Sequence, residues 1–285
     1  MKRILVVNLN WLGDVVLTTP AFKALKEKEP SAYLAVMVVE RLRPVFDDNP
    51  YIDEVISFDE RTSEKSFLSK LRFIARLRKK KFDTAFLVHR SFTRALICFL
   101  AGIKQRIGQM RFKTNLILTK KIPPLPAGEH RQDSYLNIFT GAGISINDKK
   151  PQVYLPKNFE SNVIKEIFAL GKEFDFLIGI HVAGNWLPKR WPKDFFASLS
   201  DRLILELAAG VVFTGAKKDM PAVADVIRLM KEKPFDFSGK TSLKDLAALI
   251  QRMDFFISND SGPAHLAAGL SVPTLVLFGP TSEKL

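Results

Sequence analysis

The strongest constraint on the fold is an alternation of short β-rich runs with helix-like stretches along the whole chain. Parallel strands need a long crossover, which a helix supplies, so this alternation predicts parallel sheets covered by helices. We expect an α/β protein with two Rossmann-like domains whose parallel sheets face each other across a cleft. The predicted strands are RILVVNL, YLAVMVV, DEVISF, FDTAFLVH, FLIGIHV, GVVFTGA, PFDFSG, DFFISND and PTLVLFG.

The middle of the chain predicts a domain boundary. KTNLILTKKIPPLPAGEHRQ is rich in proline and is interpreted as loop, and HRQDSYLNIFTGAG after it as a helix. NDKKPQVYLPKNFE then carries Pro151 and Pro156, which limit helix formation, and is the best linker. We therefore expect an N-terminal domain over residues 1–155 and a C-terminal domain over residues 156–285.

The charge of the chain indicates a polyanionic partner. The net charge is +13, from 43 Lys and Arg against 30 Asp and Glu, and much of the excess lies between Lys65 and Lys121. A phosphorylated lipid, a membrane surface or a nucleic acid would be attracted, although a solvated basic helix face explains the same pattern. In FLSKLRFIARLRKK the helical spacing predicts a basic face opposite an apolar face made of Phe67, Leu68, Leu71, Ile74 and Leu77.

Several classes of protein are disfavoured by what the sequence lacks. A single cysteine, Cys98, excludes an internal disulfide, and four scattered histidines without HExxH or CxxC spacing argue against a metal site. No P-loop, GxGxxG or GxSxG motif follows a predicted strand. The apolar runs are too short or interrupted to span a membrane, and MKRILVVNLN does not have the pattern of a signal peptide, so we expect a cytoplasmic location.

The loop after the first strand, NLNWLGD, is the first candidate site. Gly13 permits a tight turn, and Asp14 stands where a helix is predicted to begin. A carboxylate there can cap the helix, since a helix N-terminus favours negative charge. It can equally accept a proton from a hydroxyl nucleophile. The motif alone leaves both interpretations open.

Three later loops also combine small and charged residues directly after predicted strands. In HVAGNWLPKRWPKDFF, Lys189 and Arg190 lie between two tryptophans and could contact a phosphate; the alternative is that the tryptophans only pack the domain edge. FTGAKKD predicts either a ligand-contacting turn or a solvated one. In SNDSGPAHLAAGL, the free amides of a helix start would favour a phosphate, with His265 on the first turn; capping with a packed histidine is the alternative.

These motifs together resemble glycosyltransferase family 9, the ADP-heptose:lipopolysaccharide heptosyltransferases. The resemblance rests on LGDVVLTTPAFKALK, KRWP, FTGAKKD and SNDSGPAHLAAGLSVPTLVLFGPT, and it extends along the whole chain. It implies a GT-B fold and an inverting transfer of heptose from ADP-heptose to the lipopolysaccharide inner core or a related lipid-linked acceptor, without a metal or other cofactor. It also implies peripheral attachment to the cytoplasmic face of the inner membrane and no nucleic-acid partner.

The resemblance assigns roles to individual residues. Asp14 matches the catalytic aspartate and would act as general base in the acceptor-binding N-terminal domain. Lys189 matches a lysine that faces the donor phosphates in the nucleotide-sugar-binding C-terminal domain. Asp260 would contact the donor sugar, and the residues that would hold the diphosphate are Ser261, Gly262 and His265.

Two departures from the family pattern are visible. The stretch around Gly184 and Asn185 lacks the hydroxyl residues that family members often carry there. The chain ends at FGPTSEKL, where family members usually continue into further helices, so we expect the family's C-terminal end to be lacking.

Other functions fit the same sequence. A GT-B transferase with a different nucleotide sugar or acceptor would need the same loops. A non-enzymatic basic protein that binds nucleic acid or membranes would account for the charge, although no RNP motif or recognition helix is recognisable. A shortened, inactive scaffold at a membrane is the third alternative.

Overall fold

The structure is a computed structural model that describes residues 1–156 and 159–282. The chain divides into two compact units, Met1–Tyr154 and a second unit that begins at Leu155. Within the described residues, the units contain parallel sheets of six and five strands respectively, with helices between the strands. The predicted α/β class with two Rossmann-like, parallel-sheet domains is confirmed.

The first unit is organised around a central strand, β1 (Arg3–Val7). Among its described residues the strand order is β3-β2-β1-β4-β5-β6, and all pairs are parallel. The other strands are β2 (Tyr33–Val38), β3 (Glu54–Ser57), β4 (Thr84–Leu87), β5 (Gln105–Gln109) and β6 (Lys120–Ile122). The helices are α1 (Leu12–Leu17), α2 (Pro20–Lys28), α3 (Phe67–Lys79), α4 (Phe92–Leu100) and α5 (Arg131–Thr140), with a 3-10 helix at Glu40–Val45.

The second unit repeats this plan around β7 (Leu177–His181). In its described part the strand order is β11-β10-β7-β8-β9, again parallel throughout. The other strands are β8 (Gly210–Phe213), β9 (Phe235–Asp236), β10 (Phe255–Asn259) and β11 (Thr274–Leu277). The helices are α6 (Asn162–Glu173), α7 (Lys193–Leu207), α8 (Met220–Ile227), α9 (Leu243–Ile250) and α10 (Gly262–Gly269), with 3-10 helices at Leu187–Lys189 and Lys217–Asp219.

Two details of the first unit differ from the prediction. The proline-rich segment interpreted as loop contains β6, an edge strand whose Lys120 and Lys121 are exposed; lysines are typical of such edges and hide the strand pattern. The apolar face predicted for α3 is partly wrong. Phe73 and Leu77 are buried in the core, and Phe73 packs 4.6 Å from the Phe58 ring, whereas Phe67 and Leu68 are 74% and 64% exposed.

A glycine in β7 sets the packing of the second sheet. A Cβ atom at Gly179 would lie 2.1 Å from Met253 Sδ and 2.6 Å from a ring carbon of the buried Phe256. We expect Gly179→Ala to lower the free energy of unfolding by about 1–3 kcal/mol, because the core must shift to admit the methyl group. Chemical denaturation measures the change. Gly184→Ala is the matched control, since its nearest neighbour would be 3.8 Å away; equal loss in both variants would contradict the steric explanation.

Candidate active site

The candidate residues lie where the strand order reverses in each sheet. In the first unit the chain leaves β1 for β2 and later returns to the other side of β1 with β4. In the second unit β7 is followed by β8 on one side and, later, by β10 on the other. Ligands of open α/β sheets bind outside the carboxyl ends of the strands at such switch points. Asp14 follows β1, Lys189 follows β7 and Asp260 follows β10.

Asp14 is inside α1 and is not its N-cap. The N-cap is Trp11, whose side chain makes no capping hydrogen bond, and Asp14 is the third residue of the helix. The Tyr135 hydroxyl on α5 donates a hydrogen bond of 2.9 Å to Asp14 Oδ1. Burial, together with the adjacent Asp14 carboxylate, raises the pKa of the Tyr135 phenol, so this hydroxyl stays protonated and remains a donor. The carboxylate is therefore oriented by a neighbouring helix rather than used as a cap.

The loop before Asp14 is held by buried polar contacts. Arg94 on α4 is only 1% exposed, and its guanidinium donates to Asn8 O at 3.0 Å and to Asn10 Oδ1 at 2.9 Å. The Asn8 amide donates in turn to Thr18 Oγ1 at 2.8 Å. Glu60 lies 3.5 Å from Arg94 Nε and offsets part of its charge. This network ties both ends of the β1–α1 loop to the rest of the unit and restricts the position of α1.

A cavity of about 410 Å³ opens beside this loop and is called here the His89 cavity. Its polar lining includes Asn10 and His89, and its charged lining has two more cations than anions: four arginines (Arg41, Arg61, Arg90 and Arg94) against two carboxylates (Asp59 and Glu60). Burial and the nearby Arg94 charge lower the pKa of His89 to about 3, so the imidazole is neutral at physiological pH. An uncharged, polar imidazole next to several cations suits contact with a polar, anionic molecule.

In the second unit, Lys189 and Asp260 form an ion pair. Lys189 Nζ donates to Asp260 Oδ2, and the Thr281 hydroxyl donates to the same oxygen at 3.2 Å. Burial opposes ionisation of Asp260, but the Lys189 hydrogen bond and charge, with Thr281 and the nearby His265, lower its pKa below the usual value. Lys189 and Asp260 side chains are each 20% exposed. Both charges are thus accessible while they are held in one place.

A buried asparagine joins the two loops that carry this pair. The Asn259 amide nitrogen donates to Val182 O at 2.8 Å, and its oxygen accepts from Trp191 N at 3.0 Å. On the other side, a Cβ at Gly279 would lie 2.7 Å from Pro188 O, so the segment after β11 approaches the Lys189 loop closely. These contacts fix Lys189 with respect to Asp260.

The other predicted donor contacts surround the start of α10. Ser261 is the N-cap but makes no side-chain capping bond; its hydroxyl lies 2.9 Å from Ser258 Oγ. Gly262 begins the helix, and His265 is its fourth residue, on the first turn. The first amides of an eight-residue helix therefore point away from its body beside Asp260, which suits an anionic group. Lys218, after β8, donates 2.5 Å to Asn185 Oδ1 and so supports the loop that lacks hydroxyl residues.

Four supporting residues were not found from the sequence. Tyr135 contacts Asp14 and Thr281 contacts Asp260, whereas Arg94 and Asn259 hold the loops that carry Asp14 and Lys189. No local motif marks Tyr135 or Arg94. Asn259 directly precedes Asp260 in SNDSG, so its place at the end of a strand was a usable signal.

The part of the chain that the structure describes holds neither a candidate metal cluster nor a candidate membrane-spanning helix. Residues 1–156 and 159–282 contain no group of three or more His, Cys, Asp or Glu side chains placed to hold a metal ion. Over the same ranges, every helix is too short or too polar to cross a membrane.

Comparisons with known proteins agree with the motifs. Residues 70–285 match the model of glycosyltransferase family 9 (heptosyltransferase). Lipopolysaccharide heptosyltransferase 2 of Salmonella typhimurium is 28% identical, over 98% of this chain and 83% of that protein. The crystal structure of a family 9 glycosyltransferase from Veillonella parvula is similar to this chain, with a TM-score of 0.90 and 28% sequence identity. The match covers 99% of this chain and 82% of the Veillonella chain. The structure of the Escherichia coli ADP-heptose lipopolysaccharide heptosyltransferase II is also similar, with a TM-score of 0.84 and 25% sequence identity. That match covers 100% of this chain and 87% of the Escherichia coli chain.

Proposed function

Because the chain belongs to glycosyltransferase family 9, we propose that it transfers heptose from ADP-heptose to the lipopolysaccharide inner core or a related lipid-linked acceptor, with inversion at the anomeric carbon. The observation that carries this proposal is the Lys189–Asp260 pair beside the first turn of α10, at the switch point of the second sheet. A cation and free helix amides there suit a diphosphate, and the paired carboxylate suits a sugar hydroxyl.

In the proposed reaction, an acceptor hydroxyl oxygen forms a bond to the anomeric carbon while the bond from that carbon to the ADP oxygen breaks. Negative charge grows on the departing diphosphate. Lys189, His265 and the amides of Ser261 and Gly262 stabilise that charge. Asp260 keeps Lys189 in place and accepts a hydrogen bond from the donor sugar. This assignment is supported by the hydrogen bond between Lys189 and Asp260 and by the position of His265 close to Asp260.

Asp14 takes the acceptor proton in this proposal. A carboxylate can act as a general base. The Tyr135 hydroxyl orients the Asp14 carboxylate by donating to Oδ1, and this contact leaves Oδ2 to accept the proton. The His89 cavity beside the same loop is lined by four arginines against two carboxylates, and this excess of cations suits the acidic sugars and phosphates of a lipopolysaccharide acceptor.

We assign acceptor binding to residues 1–155 and donor binding to residues 156–285, with the enzyme attached peripherally to the cytoplasmic face of the inner membrane. The basic segment between Lys65 and Lys121 supports this assignment, because anionic phospholipid attracts such segments. No cofactor besides the donor substrate takes part in the proposed reaction, and nucleic acid is not an expected partner.

Calorimetry with matched nucleotide sugars tests the donor. We expect ADP-heptose to bind at least about tenfold more tightly than UDP- or GDP-linked sugars, because discrimination through one or two base contacts amounts to about that ratio. Mass spectrometry of a heptose-deficient lipopolysaccharide acceptor then reads out addition of a single heptose. Preference for a UDP sugar would support the alternative transferase, and binding of duplex nucleic acid without any sugar nucleotide would contradict the proposal.

A further inference from the structure

An open cavity of about 490 Å³ in the first unit combines exposed apolar and cationic side chains. We call this lining, together with Leu116 from the same loop, the Phe112 surface. The lining includes Arg90, Phe92, Met110, Arg111, Phe112 and Lys113. Phe112 is 95% exposed, and Leu116 in the same loop is 97% exposed. Large apolar side chains in full contact with water indicate an interaction site when they occur together.

The loop holds these side chains outward by its own hydrogen bonds. Arg111 N donates to Asn115 Oδ1 at 3.0 Å, and Thr114 N donates to Arg111 O at 3.0 Å. Ile117 and Leu118, which follow directly, are buried and anchor the loop in the core. Phe112 and Leu116 therefore project from a turn with defined hydrogen bonds.

The cations of the surface lack acidic partners. No Asp or Glu side chain lines the cavity, and within the described part of the chain no carboxylate makes an ion pair with Arg90, Arg111 or Lys113. Partial burial and the neighbouring Arg90 guanidinium lower the pKa of Arg111. Three cations without acidic partners, placed around apolar side chains, are complementary to a partner that has both anionic groups and hydrocarbon chains.

The Phe112 surface is continuous with the proposed acceptor region, because Arg90 lines both it and the His89 cavity. Arg90 also lies close enough to Tyr135 to act on its hydroxyl electrostatically. A lipid at the Phe112 surface would therefore present its attached sugars towards the loop that carries Asn10 and Asp14.

We propose that the Phe112 surface docks on an anionic phospholipid bilayer, with Phe112 and Leu116 inserted into the interface and Arg90, Arg111 and Lys113 at the level of the lipid phosphates. Exposed apolar tips flanked by basic residues are the arrangement expected of an interfacial anchor. The inference rests on the proposed function and deepens it, since it names the surface from which a lipid-linked acceptor would be taken.

Vesicle sedimentation tests this surface. The full chain should bind vesicles of phosphatidylglycerol and phosphatidylethanolamine, and bind phosphatidylcholine vesicles weakly. The double variant Phe112→Ser, Leu116→Ser should lose about 20-fold or more in partitioning, since two large side chains no longer leave water. The matched control is Leu205→Ser with Leu207→Ser on α7, where both leucines are exposed but lie in the second unit; it should change partitioning less than about twofold.

A charge variant and an activity assay separate the possible outcomes. Arg111→Gln with Lys113→Gln should reduce the preference for phosphatidylglycerol. Transfer to a deacylated, water-soluble acceptor should be unchanged in the Phe112 and Leu116 variant, whereas transfer to acceptor embedded in vesicles should fall. Unchanged vesicle binding would overturn the inference, as would self-association of the wild type that this variant abolishes. Vesicle binding through Phe112 without any heptose transfer would leave the inference standing and reject the proposed function.

Discussion

Replacing Asp14 with asparagine is expected to lower heptose transfer about a thousandfold and to leave ADP-heptose binding unchanged, since general-base catalysis contributes about 10²–10⁴-fold. The asparagine oxygen can still accept the Tyr135 hydrogen bond, so the local structure should persist. The amide cannot take up the acceptor proton. Donor affinity should not change, because the proposed donor contacts belong to the second unit. Initial rates and calorimetry on the same preparation measure the two quantities.

Tyr135→Phe is the matched control for this substitution. It removes the donor to Asp14 Oδ1 and keeps the ring in the core. A positioning role predicts about a tenfold loss in kcat, because one hydrogen bond to a charged group is lost while the base remains. If Asp14→Asn retained transfer within a few-fold, Asp14 would serve only to complete the first turn of α1. If both variants lost thermal stability equally, their contact would be purely structural.

The fold could be predicted because its signal is local. Buried central strands such as β1 and β7 appear as continuous apolar runs. The segments that connect successive strands often show the apolar spacing of a helix. The polar strand β5 and the lysine-rich edge strand β6 were not predicted from the sequence, since neither has the composition of a buried strand. For α3, spacing marked an apolar side but could not reveal that Phe73 and Leu77, rather than Phe67, meet the core.

The candidate site, whose residue roles stay a prediction, could be inferred from the sequence only as far as single loops allow. Asp14, Lys189 and Asp260 follow strands, where a loop motif signals a ligand. Their supporting partners come from far along the chain: Tyr135 lies 121 residues from Asp14, and Lys189 lies 71 residues from Asp260. Only the three-dimensional fold brings such pairs together. The structure also distinguishes a capping role from a contact with Tyr135, which the NLNWLGD motif could not do.

Replacing Lys189 with methionine is expected to lower kcat/KM by about 10²–10³-fold, the usual cost of removing one group that stabilises developing charge. Methionine keeps much of the aliphatic volume and loses the ammonium group that contacts Asp260. ADP affinity should fall as well, because the ground-state diphosphate already carries negative charge. Lys193→Met, at an exposed lysine 3.5 Å from Asp225, is the control and should retain near wild-type kinetics.

The pH dependence of stability separates the proposed contact of Lys189 with the donor diphosphate from its structural contact with Asp260. Lys189 holds the pKa of Asp260 below the ordinary aspartate value of 3.8, so the pair stabilises the fold above that pH and ceases to do so as pH falls through the lowered pKa. The difference in Tm between wild type and Lys189→Met should therefore be present at neutral pH and shrink below about pH 4. The loss in kcat/KM should persist in Lys189→Met combined with Asp260→Asn, which has no unpaired carboxylate. Recovery of activity in that double variant would mean that Lys189 acts only by neutralising Asp260.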